Sequence, residues 1–425
     1  MKILMYLQNP SGLGGIERVA RELTRIFAAH GAETRVFCDR GGPNAMPSAG
    51  PRREQAVESL VAAFRPDVAI LHGVPHAGFE DDLAVFRRRG VPVVAICHFS
   101  FPSAMLLDGD ERANDDFLAR ARRCDLVATV SAIDAQWWRA LGCRALHVQN
   151  PFVPPGRNPE PSRRSREAGT TNLLWVGRNA EQKQPSAALA AFARAVRDAP
   201  GLRLTMVGGS DAGWAAIRAE ARRLGLADKV TCLGERDDLS ALWDAADVHL
   251  LTSVTESFCL VLAEAKAHGV PTAMFEIPFL ELVADGRGIV TAPQGDVDGL
   301  GRALAGLATD AAKRRALGAE AKASLAAFND EAVWASWQRV FAALASGEGG
   351  REKPDAAFAT VVAQEFFAWH RFCEKNLWAV QLVRDAAKLT GGLVTLRALA
   401  RLLRRAVTSI QTLKAWRRRK AVANA

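Results

Sequence analysis

The 425-residue sequence lacks paired cysteines and long apolar runs, and we expect no amino-terminal secretion signal. Its seven cysteines are odd in number and stand singly, which argues against a disulfide framework or a zinc site and for a reducing cytoplasm. No apolar run reaches the roughly 18 residues that a membrane-spanning helix needs. The opening residues, MKILMYLQNP, are too few and too polar for a signal peptide. We therefore expect a cytoplasmic protein.

Surplus charge is also missing from most of the chain. The net charge is +9, yet the first 350 residues hold 40 Lys and Arg against 41 Asp and Glu, while residues 351–425 hold 15 against 5. With 49% hydrophobic residues overall, the near-neutral part is long enough for two globular domains with full cores. The sequence thus predicts a neutral body followed by a basic tail over residues 356–425.

Short apolar segments alternate with amphipathic ones in two stretches, residues 1–155 and 171–346. The apolar segments have the continuous hydrophobicity of buried parallel strands, and the amphipathic ones have the period of helices. Such alternation predicts an α/β fold with two doubly wound, Rossmann-like domains. The proline-rich, charged and aperiodic run Pro154–Thr171 between them is predicted to be a linker.

The stretch Leu251–Thr272, LTSVTESFCLVLAEAKAHGVPT, combines a strand end, a short loop and a helix. The backbone N–H groups at the start of this helix, around Phe258–Leu260, form a ready site for an anion. Glu256 in the loop and Glu264 about two turns into the helix flank that site, and carboxylates accept hydrogen bonds from sugar hydroxyls. A nucleotide sugar offers both phosphates and hydroxyls. On their own, two such glutamates are also typical of a solvated helix face.

Three further groups of candidate residues follow strand ends or open a helix. Arg178 and Lys183 come directly after the strand LLWVG and could bind phosphates, although such a pair could also be a surface charge cluster. His98 follows the strand VVAIC at the edge where doubly wound sheets bind ligands, but a lone histidine is often structural. Gly14 and Gly15 close a glycine loop, which is consistent with phosphate binding or with a tight turn.

Several of these segments resemble glycosyltransferase family 4. ESFCLVLAEAKAHGVPT is similar to the E-x7-E signature EGFGLxxLEAMAxGxPVV of its retaining enzymes, with Ser257 and Cys259 at the positions of two glycines. The opening glycine loop resembles that of the family, and VGR with the following Lys183 resembles its VGR…K element. The resemblance covers about residues 1–345. It implies the GT-B fold, in which an acceptor-side domain and a nucleotide-sugar-binding domain face a cleft.

The resemblance also implies roles for the candidate residues. Arg178 and Lys183 would hold the donor diphosphate, and Glu264 the ribose hydroxyls. Glu256 and His98 would bind and place the transferred sugar. The catalytic group would comprise Glu256, His98, Arg178 and Lys183. The donor-binding group would comprise Gly14, Gly15, Arg178, Lys183, Ser257, Phe258, Cys259, Leu260 and Glu264.

Two D-x-D pairs, Asp108–Asp110 and Asp296–Asp298, raise the question of a metal site. A useful D-x-D follows an apolar strand, so that both carboxylates reach one divalent ion, and neither pair does so. The first pair lies in a helical or loop stretch, and the second lies at a helix start, where Asp is a common cap. We therefore expect neither a metal nor another cofactor.

The basic tail shows apolar residues at steps of three and four in two segments, after the glycine-rich run GEGGREKPD, which is typical of a flexible joint. Its second segment, residues 392–420, has the pattern of a basic amphipathic helix that lies on anionic membrane surfaces. The same pattern would suit a helical hairpin docked on its own domain or on a second subunit. No nucleic-acid recognition motif accompanies the charge, so we expect no nucleic-acid partner.

Taken with the resemblance, these observations predict a retaining, metal-independent glycosyltransferase at the inner face of the membrane. Its donor would be a UDP- or GDP-sugar, and its acceptor a glycan or a lipid-linked molecule of cell-envelope polysaccharide, lipopolysaccharide or glycolipid synthesis. Two alternatives remain open at this point. One is a non-catalytic relative that only binds a donor or a partner, and the other is a nucleotide-sugar epimerase of the same fold.

Overall fold

The computed structural model describes residues 1–12, 14–42, 44–73, 76–100, 111–152, 169–236, 238–277, 280–354 and 358. Within these residues the chain forms two compact units. Of these residues, the first unit contains 1–151 together with 330–354 and 358, and the second contains 152 and 169–329.

The first unit is built on a six-stranded parallel sheet. Its strands are β1 (Lys2–Leu7), β2 (Glu33–Cys38), β3 (Val68–His72), β4 (Val93–Cys97), β5 (Leu126–Thr129) and β6 (Ala145–His147). The helices between them are α1 (Gly15–Ala29), α2 (Pro51–Phe64), α3 (Phe79–Arg88), α4 (Glu111–Ala121) and α5 (Ala132–Ala140). The strands lie in the order β2-β1-β3-β4-β5-β6, so the direction of winding reverses between β1 and β3.

The second unit repeats this plan with another six-stranded parallel sheet. Its strands are β7 (Thr171–Val176), β8 (Leu202–Val207), β9 (Val230–Leu233), β10 (Val248–Leu251), β11 (Thr272–Phe275) and β12 (Ile289–Ala292). Its helices are α6 (Pro185–Asp198), α7 (Asp211–Arg223), α8 (Ser240–Ala245), α9 (Leu260–Ala267), α10 (Val297–Thr309) and α11 (Ala311–Ser324). The order β12-β11-β10-β7-β8-β9 reverses between β7 and β10. The two doubly wound sheets confirm the predicted fold class.

The core of the first unit shows how periodicity in the sequence becomes packing. Ile3 and Met5 on one face of β1 pack in the same cluster as Val19 and Leu23, which share one face of α1. The helix ends just before Gly31, whose φ of 77° lies in the left-handed region that glycine adopts at low cost.

The last described helix, α12 (Asp330–Ser346), belongs to the first unit. Trp337 on this helix meets Phe27 of α1 edge-on, with ring centroids 5.4 Å apart, and Asp330 forms an ion pair with Arg25 at 2.8 Å. Chain order alone had grouped this helix with residues 171–346. The apolar face of this helix packs against α1, and chain order does not reveal that contact.

Residues 347–354, which we call the strap, run along the edge of the first sheet. Ala145 N donates to the Gly350 carbonyl at 2.8 Å, and Arg139 forms an ion pair with Glu352 at 2.6 Å. Phe358 is buried against Trp137, with ring centroids 5.1 Å apart. The run predicted as a flexible joint is therefore attached to the first unit. Residues 359–425, including the predicted membrane segment 392–420, lie outside the described residues.

Candidate active site

The largest cluster of candidate residues lies at the carboxyl edge of the second sheet. β7 and β10 pair in parallel, with Leu174 opposite His249, so the loops that follow them emerge side by side where the winding reverses. The first of these loops carries Arg178 and Lys183, and the second carries Glu256. We call them the β7 loop (residues 177–184) and the β10 loop (residues 252–259).

Lys183 and Glu256 form an ion pair across the two loops. The Lys183 Nζ atom lies 2.5 Å from Oε1 of Glu256, and the two side chains are 16% and 8% exposed. Burial lowers the pKa of Lys183, but the Glu256 carboxylate outweighs this effect, so the pKa is raised overall. Lys183 therefore remains an ammonium group at neutral pH. An ammonium has three donors, so it can bind an anion while it keeps its contact with Glu256.

Arg178 adds a second positive charge at this edge. It is exposed, it follows the end of β7, and its charge acts to lower the pKa of Lys183, which places the two cations within electrostatic reach. A diphosphate bound here would relieve their mutual repulsion. The structure thus brings together the three charged residues that the sequence placed after two separate strands.

Hydrogen bonds hold the β7 loop and the β10 loop against each other. The Thr252 hydroxyl lies 2.8 Å from the Lys183 carbonyl and accepts from Trp175 Nε1 at 3.0 Å. Val254 N donates to the Gln182 carbonyl at 2.9 Å. These contacts join the β7 loop to the β10 loop and thereby support the Lys183–Glu256 ion pair.

A buried amide from a third loop supports the β10 loop. Gln294, which is 3% exposed, places Nε2 at 3.2 Å from the carbonyl oxygens of both Ser253 and Val254. An amide NH₂ has two donors, so one side chain can satisfy both carbonyls. Gln294 was not predicted as a site residue, because its only signal in the sequence is one polar residue just past a strand end.

The helix after the β10 loop begins one or two residues later than predicted. α9 starts at Leu260, and Cys259 before it is buried and has a φ of 65°, in the left-handed region. Phe258 is buried ahead of this cap, whereas Ser257 and Leu260 are partly exposed. The open donors of the first turn therefore begin at Cys259 rather than at Phe258. The left-handed cap gives a physical reason for the glycine that the similar signature has at this position.

Glu264 lies on α9 and has a different environment from that of Glu256. It is 2% exposed, and its Oε2 atom accepts a hydrogen bond from Trp243 Nε1 at 3.1 Å. Glu256 thus contacts a cation, and Glu264 accepts a hydrogen bond from a neutral N–H group. No pattern in the sequence had pointed to Trp243.

In the first unit, two histidines meet at the carboxyl edge of the sheet. His98 is partly exposed, and its Nε2 atom lies 2.9 Å from Nδ1 of His72, the last residue of β3. Burial lowers the pKa of His98 to about 4, and burial together with the charge of His98 lowers the pKa of His72. Both rings are therefore neutral at neutral pH, and one donates to the other. His98 was predicted from the sequence, whereas His72 was not.

The glycine loop opens α1 in the first unit. Gly14 is the residue before the helix and Gly15 its first residue. A Cβ atom on Gly14 would lie 2.5 Å from Oε2 of Glu17, so a larger residue at this position would require that flexible carboxylate to shift. Glu17 thus places negative charge at the helix start, where it stabilises the positive end of the helix dipole.

A buried ionic network lies in the same unit. Arg53 has no exposed surface; its Nε and Nη2 atoms donate to the two carboxylate oxygens of Asp82 at 2.7 and 2.8 Å, and Nη1 donates to Asp39 at 2.7 Å. The Tyr6 hydroxyl also donates to Asp39, and burial together with this contact raises the pKa of Tyr6. His76 Nε2 lies 2.9 Å from Asp82. The network ties α2, α3 and the end of β2 together beneath the carboxyl edge.

The described residues contain no group of three or more His, Cys, Asp or Glu side chains that could hold a metal ion. Asp296 instead caps α10, accepting from Gly299 N at 2.8 Å, and Asp298 lies in the first turn of that helix. Asp108 and Asp110 lie outside the described residues. None of the helices in the described part of the chain is long and apolar enough to cross a membrane.

Both halves of the chain match known sequence families. Residues 13–157 match Glycosyltransferase Family 4, and residues 170–310 match Glycosyl transferases group 1. The chain is 34% identical over 302 residues to the glycogen synthase of Mycobacterium tuberculosis strain H37Rv, a match that covers 67% of this chain and 71% of that protein. It is 31% identical over 238 residues to Exopolysaccharide phosphotransferase SCO2592 of Streptomyces coelicolor, covering 55% of this chain but only 25% of that protein.

The fold also recurs among solved structures. Anabaena Alr3699/HepE in complex with UDP and glucose matches with a TM-score of 0.64 at 19% identity, covering 81% of this chain and all of that one. Each unit has a parallel six-stranded sheet with one reversal of winding, and each half of the chain matches a family of glycosyltransferases. The fold and the family matches therefore lead to the same assignment. The chain belongs to glycosyltransferase family 4, has the GT-B fold and is an enzyme that transfers glycosyl groups.

Proposed function

We propose that this enzyme transfers a sugar from a nucleotide diphosphate sugar, with retention of configuration and without a metal ion. The observation that carries the proposal is the Lys183–Glu256 ion pair beside Arg178, at the reversal of the second sheet. Rossmann-like sheets bind nucleotides at such a reversal. This edge offers two cations for a diphosphate and a carboxylate for sugar hydroxyls.

In this proposal Arg178 and Lys183 bind the diphosphate oxygens. As the bond to the sugar breaks, negative charge builds on the leaving phosphate oxygen, and both cations then bind it more strongly than in the ground state. The open N–H groups at Cys259 and Leu260 add to this stabilisation. Cations and a helix start thereby take the role that a divalent ion would have, which supports independence from metal.

Glu256 binds hydroxyls of the transferred sugar and is not assigned as a covalent nucleophile. The acceptor hydroxyl attacks the anomeric carbon on the face from which the diphosphate departs. The bond from that carbon to the phosphate oxygen breaks, the bond to the acceptor oxygen forms, and the acceptor proton passes to the leaving phosphate. Attack on that face retains the configuration of the sugar.

The first unit would supply the acceptor side. His98 is neutral, so it can help to place the sugar by hydrogen bonding without adding charge. Gly14 and Gly15 would let the acceptor come close, because they present no side chain. The proposed acceptor is a glycan or a lipid-linked molecule of the cell envelope, and the proposed docking surface for membranes is residues 392–420.

The nucleotide is proposed from the solved relative of the same fold. The structure of Alr3699/HepE contains UDP and glucose, which supports a UDP-sugar as the first donor to test and GDP-sugars as the second. The two proposed domains are residues 1–155 for the acceptor and 171–346 for the donor, with α12 packed in the first unit.

A donor panel tests this proposal. The protein is incubated with UDP- and GDP-sugars in the presence of EDTA, and free nucleotide diphosphate is measured. We expect turnover of one nucleotide series that survives EDTA, and a product whose anomeric configuration by NMR matches that of the donor. An absolute requirement for Mn²⁺ or Mg²⁺ in the chemical step would contradict metal independence.

Charge variants test the site itself. Arg178→Ala and Lys183→Met should each lower kcat/KM for the donor by an amount equivalent to about 2–4 kcal/mol. Lys183→Met also leaves Glu256 buried and unpaired, so Lys183→Arg, which keeps a cation beside Glu256, is the matched control and should lose less activity. Donor kinetics like those of the wild type in Lys183→Met would show that the cation has no role in donor binding.

A further inference from the structure

Trp243 is wholly buried where three elements of the second unit meet. It lies on α8, and its ring meets His249 of β10 edge-on, with centroids 5.3 Å apart. On another side it stacks with His268 at the end of α9, with centroids 6.3 Å apart. Its Nε1 atom donates to Oε2 of Glu264 at 3.1 Å.

This packing leaves the indole ring little freedom. The neighbouring imidazoles are themselves held, His249 by Thr272 Oγ1 at 3.1 Å and His268 by the Glu264 carbonyl at 3.0 Å. A ring confined in this way aims its N–H group in one direction. The Glu264 carboxylate, whose own side chain has three rotatable bonds, is therefore held in one orientation.

A neutral donor is suited to this task for a physical reason. The indole N–H uses one of about four lone-pair sites of the carboxylate and does not neutralise its charge. Lys183 has the opposite effect on Glu256, because it pairs charge with charge. A carboxylate that is already oriented makes strong hydrogen bonds to neutral hydroxyls and loses little entropy in doing so.

We propose that Trp243 is a positioning residue for the nucleotide, which acts by orienting Glu264 toward the ribose hydroxyls of the donor. The inference rests on the proposed donor-binding role of Glu264. Trp243 does not touch the ligand in this scheme. It lies 21 positions before Glu264 in the chain, and the hydrogen bond across that separation carries the proposal.

The test compares two ligands that differ by one ribose hydroxyl. Binding of UDP and 2′-deoxyUDP is measured by calorimetry for the wild type and for Trp243→Phe, which keeps an aromatic ring and removes the N–H group. We expect the wild type to prefer UDP by about tenfold, and the variant to prefer it by only about two- to threefold. If the role of Trp243 were purely structural, Trp243→Phe would weaken the binding of both ligands equally and leave the ratio of the two affinities unchanged.

Three further variants make the comparison specific. Trp214→Phe removes another buried indole bond of the same unit, from Nε1 to the Leu233 carbonyl at 2.9 Å, and should keep the tenfold ratio. Glu264→Gln should reduce the ratio as Trp243→Phe does. The double variant Trp243→Phe/Glu264→Gln should reduce it no further, because both substitutions act through one contact.

An unchanged UDP preference in folded Trp243→Phe overturns the inference while the proposed function stands. Failure of the wild type to bind either UDP or GDP overturns the proposed function, and the inference with it. Should Trp243→Phe not fold, the indole N–H resonance of Trp243 in the intact protein serves instead. It should shift on addition of UDP and much less with 2′-deoxyUDP, and equal shifts would overturn the inference.

Discussion

Cys259 carries a side chain in a backbone conformation that glycine adopts more easily. Its φ of 65° lies in the left-handed region, and its side chain is buried next to the candidate site. For a residue with a Cβ atom this conformation costs about 1–2 kcal/mol. The fold retains it because the β10 loop must turn sharply into α9 at this point.

Cys259→Gly should therefore be more stable than Cys259→Ala by about 1 kcal/mol, although glycine is normally the less stabilising residue. Both variants lose the buried thiol, so the difference between them isolates the backbone strain. Urea denaturation followed by circular dichroism gives the two free energies of unfolding. Ala263→Gly, inside α9, is the control and should lose about 1 kcal/mol. An alanine variant as stable as the glycine variant would show that the loop relaxes around Cβ.

The residues of the candidate site could be named from the sequence, but their contacts could not. Arg178, Lys183 and Glu256 follow strand ends, and the periodicity of the sequence shows where the strands end. Lys183 and Glu256 are 73 positions apart, and their pairing depends on β7 lying beside β10. Strand order is decided by packing of the whole sheet, on which local periodicity carries no information. His72 was missed for the same reason, because its partner, His98, follows another strand.

At the scale of one element, α9 begins at the candidate site and also carries an unusual buried lysine, Lys266. Lys266 is 1% exposed, and its Nζ atom donates to the Arg287 carbonyl at 3.1 Å and to Ser324 Oγ at 2.9 Å. Burial lowers the pKa of Lys266 to about 8 from an ordinary 10.5. The folded protein therefore disfavours the charged form.

The stability contribution of Lys266 should increase with pH. Between about pH 8 and pH 10.5 the unfolded chain holds more protons at this site than the folded one, so the free energy of unfolding rises through that window. Relative to Lys266→Met, the wild type should gain about 2 kcal/mol between pH 7 and pH 9.5. Denaturant titrations at the two pH values measure this difference. Lys322→Met, at an exposed position of α11, is the control, and equal changes in both variants would contradict the assignment.

The strands and helices themselves were largely predictable, because each has its own period. The alternating apolar and amphipathic segments predicted over residues 1–155 correspond to the strands and helices of the first unit, such as β2 and α5. The strap was not predictable, because glycine-rich composition indicates freedom in an isolated chain. Its attachment depends on Arg139 and Trp137, which lie about two hundred positions earlier.

At the scale of the whole molecule, the surplus of positive charge lies in one part of the chain, and the beginning of that part is attached to the first unit. The first 350 residues are nearly neutral, and the surplus of positive charge follows them. The strap fixes the beginning of that basic part to the edge of the first unit through Gly350 and Glu352. An experiment on the tail must therefore keep the strap intact, since a cut at residue 349 would also expose Trp137.

A chain of residues 1–360 should remain folded and nearly neutral but should no longer sediment with anionic liposomes. Each basic side chain near an anionic surface contributes about 1 kcal/mol, so replacing Arg401, Arg404 and Arg405 with Gln should also weaken vesicle binding, and most strongly at low salt. A chain of residues 1–349 is the matched comparison, and loss of the buried Phe358 should lower its free energy of unfolding by about 2–4 kcal/mol.

A result opposite to this prediction would favour docking of the tail on its own domain or on a second subunit. In that case the full-length protein ignores anionic vesicles at low salt, and removal of residues 361–425 by itself leaves an insoluble chain.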